Sequence, residues 1–150
     1  AGVRLALAAF GVWGSNTGVG KTLVSAGLAQ AAVRRSLNAL YLKPVQTGFP
    51  RDSDGALVAA LAGGSHSLGP HAAAAAAPAR FPSAGPALGG ASPAKAACRT
   101  LFAWNEPVSP HAAAAREGRG VADAALHGAT REELAVFGAT GGQLPPVESD

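Results

Sequence analysis

The sequence is poor in most of what builds a large or covalently braced protein. It has one cysteine, Cys98, and no methionine in 150 residues. A single cysteine excludes an internal disulfide and suits a reducing compartment; a small buried thiol is its expected role. Lacking even an initiator methionine, the chain reads as a processed product or an excerpt of a longer protein, from which any targeting peptide has gone. Aromatic residues make up 5% and charged residues 14%, the latter well below the usual share of about 25%. The net charge of +3 comes from 12 Lys and Arg against 9 Asp and Glu. The longest basic run is Arg34-Arg35, so there is no stripe for a phosphate backbone and no nucleic-acid partner is expected. No apolar run approaches the roughly 18–20 residues of a membrane span, so no membrane partner is expected either. His66, His71 and His127 lack paired metal-ligand spacing and receive no role.

What is abundant is alanine, which supplies about half of the hydrophobic residues and buries little. The larger apolar residues suffice for one compact domain, since domains commonly run to about 100–150 residues. A single domain over 1–150 is the expectation. Val3 to Val12 is a short apolar run before a glycine loop, which predicts a buried parallel strand. Lys21 to Ser36 predicts a helix whose apolar face carries Leu23, Val24, Leu28, Ala31, Ala32 and Val33, with Arg34 and Arg35 at its negative end. Leu40-Tyr41-Leu42 predicts a second strand ending at Lys43-Pro44. Strand, loop, helix and strand make one βαβ unit and an α/β fold of P-loop NTPase type, with a parallel sheet and flanking helices.

Asp52 to Leu61 predicts a helix starting near Ser53 or Asp54. From about 62 to 98 the composition turns to Ala, Gly, Pro and Ser, read as an insertion or mobile loop. Its alanine tract, Ala72 to Ala77, could alternatively be a short helix. Thr100 to Trp104 is strand-like. Ser109-Pro110-His111 has the N-cap and first-turn proline of a helix start, which Gly118 and Gly120 stop. Val121 to Leu134 predicts a helix, Ala135-Val136-Phe137 a short strand, and Gly138 to Pro146 a second glycine-rich turn.

The most informative stretch is Gly14-Ser-Asn-Thr-Gly-Val-Gly-Lys-Thr22. A Walker A loop has glycine, four residues, then Gly-Lys-Ser/Thr; here Ser15 occupies the first glycine position. The physical content survives that departure. Gly18 and Gly20 allow successive backbone N–H groups to turn toward phosphate. Lys21 would reach the outer phosphates, Thr22 would ligate Mg²⁺, and the following helix adds its positive end. A ligand-free glycine turn is the competing reading. Tyr41-Leu-Lys-Pro-Val-Gln-Thr-Gly48 places Lys43 at the carboxyl end of a strand, where parallel sheets bind ligands. A solvated lysine is the alternative there, and the adjacent P-loop counts against it. Asp52-Ser53-Asp54 offers carboxylate oxygen suited to Mg²⁺ or, equally well, a helix cap.

Together with Phe102-Ala-Trp-Asn-Glu-Pro-Val-Ser-Pro-His111, these motifs resemble dethiobiotin synthetase, and most closely its plant and alga type, fused to a diaminopelargonate aminotransferase. The resemblance covers residues 10 to 61 and 99 to about 142, and the glycine spacing that misses the strict Walker pattern is the family's own. It implies an ATP-dependent carboxylation and ring closure of 7,8-diaminononanoate with CO₂, giving dethiobiotin for biotin synthesis, with ATP and Mg²⁺ required. By position, Lys43, Lys21 and Thr17 are the implied catalytic group. Thr47, Thr17 and Lys43 are implied to bind substrate; Gly18, Val19, Gly20, Lys21, Thr22, Leu23 and Asp54 to bind ATP; and Thr22 and Asp54 to hold the metal. His111 could touch substrate or be simply an exposed or capping histidine. A homodimer is implied, mitochondrial if of the fused plant type and cytoplasmic if a stand-alone enzyme.

The sequence departs from the family in three places. Aligned on Gly141-Gly142, Gly138 stands where the family carries a Mg²⁺-binding glutamate; the segment before it, Val121 to Phe137, is shorter than the family's helix and strand; and the chain stops at Asp150, short of the family's later strands. The alternative function is therefore a catalytically impaired remnant or nucleotide-binding module of a larger fused protein. A partitioning-type switch ATPase is disfavoured because Asn16 stands where those carry an extra lysine.

Overall fold

The computed structural model describes residues 8–69 and 95–140. In order these form α1 (Lys21–Arg34), β1 (Ala39–Gln46), α2 (Asp54–Ala62), β2 (Ser65–Leu68), β3 (Ala96–Ala103), α3 (Pro110–Arg116) and α4 (Asp123–Ala139). The three strands make one parallel sheet in the order β1-β3-β2. Parallel strands require crossovers, and α2 provides the one from β1 to β2. The expected α/β architecture, a parallel sheet with helices on its faces, is what the chain adopts.

β3 is central and buried on both faces because its side chains alternate between two helical layers. Ala96 and Cys98 pack with Ala26 and Ala29 of α1 and with Val58, Ala59 and Ala62 of α2. Leu101, Phe102 and Trp104 pack with Ala113 of α3, and half-buried Leu126 and Ala129 of α4 join them. Cys98 is the buried thiol expected, and burial pushes its pKa up to about 12.

Several local expectations change. The expected first strand does not form over residues 8–14, and residues 1–7 lie outside the described part. Ala8, Ala9, Gly11 and Gly14 offer little side chain for a sheet to bury, and Phe10 and Trp13 stand 77% and 91% exposed. On α1, Ala26 and Ala29 are the buried residues and Val33 of the expected face packs against them half-buried, while Leu23, Val24 and Leu28 are exposed. The α1 and α2 surfaces meet through small side chains, and a leucine at the contact would hold the helices apart.

β1 continues past Lys43-Pro44 to Gln46. The stretch expected to be an insertion contributes to the sheet at both ends, as β2 and as the start of β3. The alanine tract at 72–77 lies outside the described residues. Ala135-Val136-Phe137 is helix, as is Gly138: α4 runs unbroken to Ala139 and buries Glu133 and Phe137 four residues apart on one face. The period of that apolar pattern is helical, and three residues in isolation could not show it. Ser109-Pro110 does open α3, although the Ser109 side chain makes no capping bond.

Two polar groupings hold the layers in register. Arg99 Nε and Nη2 donate to the two carboxylate oxygens of Glu133 at 3.1 and 2.9 Å, and Nη1 donates to Ser67 Oγ at 3.0 Å. This ties α4 to β3 and β3 to β2, with both ionic side chains mostly buried. On the opposite face, His66 Nε2 meets Thr100 Oγ1 at 3.1 Å. A Cβ on Gly55 would stand 2.6 Å from the His66 ring, so the glycine lets α2 sit directly on this pair.

Removing one partner of a buried ion pair strands the other, at about 3–5 kcal/mol. Glu133→Leu should therefore destabilise by that order in urea unfolding, and Arg99→Met combined with it should recover a large part. A double variant no better than the single one would contradict this account. Burial also holds the His66 imidazole below its ordinary value. The unfolded chain then takes up a proton near pH 6.5 that the folded chain refuses, so stability falls as pH drops through that value. Unfolding midpoints at pH 7.5 and 5.5 should differ by less in His66→Gln than in the parent.

Candidate active site

The P-loop segment enters α1 through Gly20, whose φ of 89° and that of Gly18, 78°, lie in the left-handed region that favours glycine. The Thr17 amide donates to Asn16 Oδ1 at 2.8 Å. The Lys21 ammonium closes the turn onto the Asn16 carbonyl. The loop is exposed and its backbone turns around the start of α1, where unpaired helical N–H groups and the positive dipole end favour phosphate.

From α1, Thr22 Oγ1 donates to Asp54 Oδ1 at 2.8 Å. From β1, Lys43 Nζ reaches Asp54 Oδ2 at 2.5 Å, with both side chains a little over a quarter exposed. The two roles left open for Asp52-Ser53-Asp54 separate here. Ser53 is the N-cap of α2, its hydroxyl accepting from the Ala56 amide at 3.3 Å. Asp54, the first helical residue, turns its carboxylate toward the P-loop. One carboxylate thus joins three segments that the sequence separates by up to 32 positions. Tyr41 lies two residues before Lys43 on the same strand face. Burial, and secondarily the charge of Asp54, push its phenol well above the ordinary range, so it stays neutral.

The Thr22 hydroxyl and Asp54 carboxylate are adjacent hard oxygens, the donor type Mg²⁺ takes when phosphates and water supply the rest. They fit that ion. Among the described residues no cluster of three or more His, Cys, Asp or Glu is placed to hold a metal. Gly138 is an exposed position on α4, which packs on the face of β3 opposite α2, so no second glycine loop begins there. Gly141-Gly142 lies outside the described residues.

The other expected positions are distributed as follows. Val19 and Leu23 are exposed beside the P-loop. Thr47 is half-buried and follows β1 directly. Next to it, Phe49, Pro50, Arg51, Asp52, Asn105 and Pro107 line an open cavity of about 290 Å³. His111 is exposed, and its ring lies 3.4 Å from Ser109 Oγ without capping a backbone group of α3. Gln46 was not singled out by the sequence. It is buried, and its side chain bonds the loop that carries Thr47 and Asp54. The signal was a polar residue at the last position of an apolar strand, inside a motif already marked for its lysine.

Residues 9–83 match the family described as AAA domain. The chain is 43% identical over 146 aligned positions to the bifunctional dethiobiotin synthetase/7,8-diamino-pelargonic acid aminotransferase, mitochondrial, of Oryza sativa subsp. japonica, covering 81% of this chain and 18% of that protein. The protein of the same name from Arabidopsis thaliana is 33% identical over 144 positions, covering 77% of this chain and 17% of its own length. The ATP-dependent dethiobiotin synthetase BioD of Mycobacteroides abscessus is 52% identical over 52 positions, covering 35% of this chain and 22% of that protein. The chain thus spans less than a fifth of the two plant proteins. It belongs to the AAA domain family, and within it is similar to the dethiobiotin synthetases.

Proposed function

We propose that this chain carries dethiobiotin synthetase chemistry: ATP-dependent carboxylation of 7,8-diaminononanoate with CO₂ and closure of the ureido ring. The observation that carries the reading is the Thr22–Asp54–Lys43 arrangement beside a glycine-rich helix start, in a chain resembling enzymes of that name.

In this reaction one substrate amine adds to CO₂, losing a proton and forming a carbamate. The carbamate oxygen takes the γ-phosphoryl group of ATP, releasing ADP. The second amine then attacks the carbamoyl carbon, phosphate leaves with the C–O bonding pair, and the ring closes as the amine loses its proton. No protein nucleophile is needed, so the site works through position and charge. Lys43 supplies a cation toward the carbamate and the transferring phosphoryl group. Lys21 and the amides around Gly18 to Gly20 hold the phosphates, with Val19 and Leu23 flanking them. Thr17 and Thr47 offer hydroxyls to substrate and carbamate. Thr22 and Asp54 would hold Mg²⁺, which when bound supplies charge neutralisation at the phosphates. The cavity beyond Thr47 gives the methylene chain an apolar wall at Phe49, Pro50 and Pro107.

By resemblance the enzyme works as a homodimer in mitochondria, as one part of a protein that also carries an aminotransferase. Residues 1–150 act as one domain, and the Ala/Gly/Pro-rich stretch from about 62 to 98, read from the sequence as an insertion, contributes β2 and the start of β3 to it.

Incubating the chain with diaminononanoate, bicarbonate and MgATP should yield dethiobiotin by mass spectrometry. Lys43→Ala should lower the rate by about 10²-fold or more, the scale for removing one group that stabilises developing charge. Folded protein that makes no product would overturn the assignment, and product made equally well without Lys43 would overturn the role given to that lysine. Asp54→Asn should raise the Mg²⁺ concentration needed for half-maximal turnover, measured at saturating ATP.

A further inference from the structure

The site described so far leaves unexplained why β1, otherwise flanked by apolar packing, ends in a buried amide. Gln46 is only 6% exposed. A glutamine at such a position is unfavourable unless its donors and acceptor all find partners. Here they do, and every partner belongs to one loop. Nε2 donates to the Thr47 carbonyl at 2.7 Å and to the Asp52 carbonyl at 2.6 Å, while Oε1 accepts from the Asp54 amide at 3.3 Å. The backbone of Gln46 is anchored elsewhere: its carbonyl accepts from the Trp104 amide at 2.9 Å, just past the end of β3. One residue therefore fastens the loop 47–54 to the centre of the sheet at both of its ends.

Those ends carry the functional groups. Thr47 begins the loop, and Asp54 ends it with its carboxylate divided between Thr22 and Lys43. The loop has further ties, from the Gly48 amide to the Glu106 carbonyl and from the Phe49 amide to the Trp104 carbonyl. These hold its middle. The main-chain position of Asp54, from which its carboxylate is aimed, is held by the Gln46 amide and the Ser53 cap.

We propose that Gln46 is a positioning residue for the nucleotide and metal site: by bonding Thr47, Asp52 and Asp54 together, it sets the Asp54 carboxylate where Thr22, Lys43 and a phosphate-bound divalent cation share it. The proposal rests on the reading of Thr22 and Asp54 as the metal-holding pair. Only an amide does this. A glutamate would turn carboxylate oxygen toward two carbonyl oxygens, and a leucine would leave all three backbone groups without this partner.

Two measurements test it. In the nucleotide-free chain, amide hydrogen exchange at Asp54 should accelerate at least about tenfold in Gln46→Leu, and less in Gln46→Glu, which keeps the acceptor. Amides of β3 should be unchanged, which shows that the variants remain folded. In calorimetric titrations, Gln46→Leu should weaken MgATP binding by about 10–100-fold, the range for residues that orient a metal ligand, while metal-free ATP binding changes little. A double-mutant cycle with Asp54→Asn separates positioning from general destabilisation. If Gln46 acts through Asp54, its effect on MgATP affinity shrinks toward nothing once that carboxylate is gone. Unchanged exchange at Asp54, or effects of the two substitutions that simply add, would overturn the proposal. A parent chain that fails to bind MgATP refutes the nucleotide reading instead, and the exchange measurement still decides whether Gln46 places Asp54.

Discussion

Every element of the described fold is placed by β3. It is the strand that pairs on both sides, with β1 from Ala39 to Gln46 and with β2 from Ser65 to Leu68. Its alternating side chains supply the floor for both helical layers. Because all three strands run the same way, their carboxyl ends fall on one edge. The loops carrying Thr47, Asp54 and Asn105 gather beside that edge, where parallel sheets bind ligands. Large side chains are few, so the helical contacts on one face are made chiefly by alanine. Close approach then substitutes for bulk, and dispersion over many short contacts does what leucine does elsewhere.

At the site, the same economy is applied to charge. A single carboxylate, Asp54, receives a hydroxyl from α1 and an ammonium from β1, so residues from three elements are aligned by one group. Partial burial makes these contacts stronger than on an open surface, while leaving the group reachable by a phosphate-bound cation. Behind it, Tyr41 stays neutral and His66 resists protonation, so the layer beneath the carboxylate adds no titrating charge of its own near neutral pH. The far face uses the opposite solution: Arg99 and Glu133 neutralise one another in a bidentate pair that carries structure, not chemistry.

Much of this was legible in the residues. Gly18, Gly20, Lys21 and Thr22 point to a phosphate loop because glycines directly before a helix bearing a lysine and a hydroxyl suit that chemistry. Ser53 and Pro110 mark helix starts for reasons that act within four residues. What misled was local pattern without its partner. Leu23, Val24 and Leu28 look like a core-facing stripe, yet α2 presents Val58, Ala59 and Ala62 and takes Ala26 and Ala29 instead. Phe10 looks like a strand residue, but a strand exists only where another backbone pairs with it, and none does over residues 8–14. Ala135 to Phe137 is too short to reveal its period alone, and the helix it continues is recognisable once Glu133 is seen joined to Arg99.

The sequence by itself determined the class of fold, the phosphate loop, the helix that follows it, and the candidacy of Lys43 and Asp54. Each depends on conformational preferences and spacings that act over a few neighbouring residues. Only the tertiary structure decided that Thr22, Lys43 and Asp54 meet, that Ser53 rather than Asp54 caps α2, and that Gln46 holds the loop between them. Those are contacts between segments whose separation along the chain carries no information about their distance in space. The packing of α1 and α2 against β3 sets that distance.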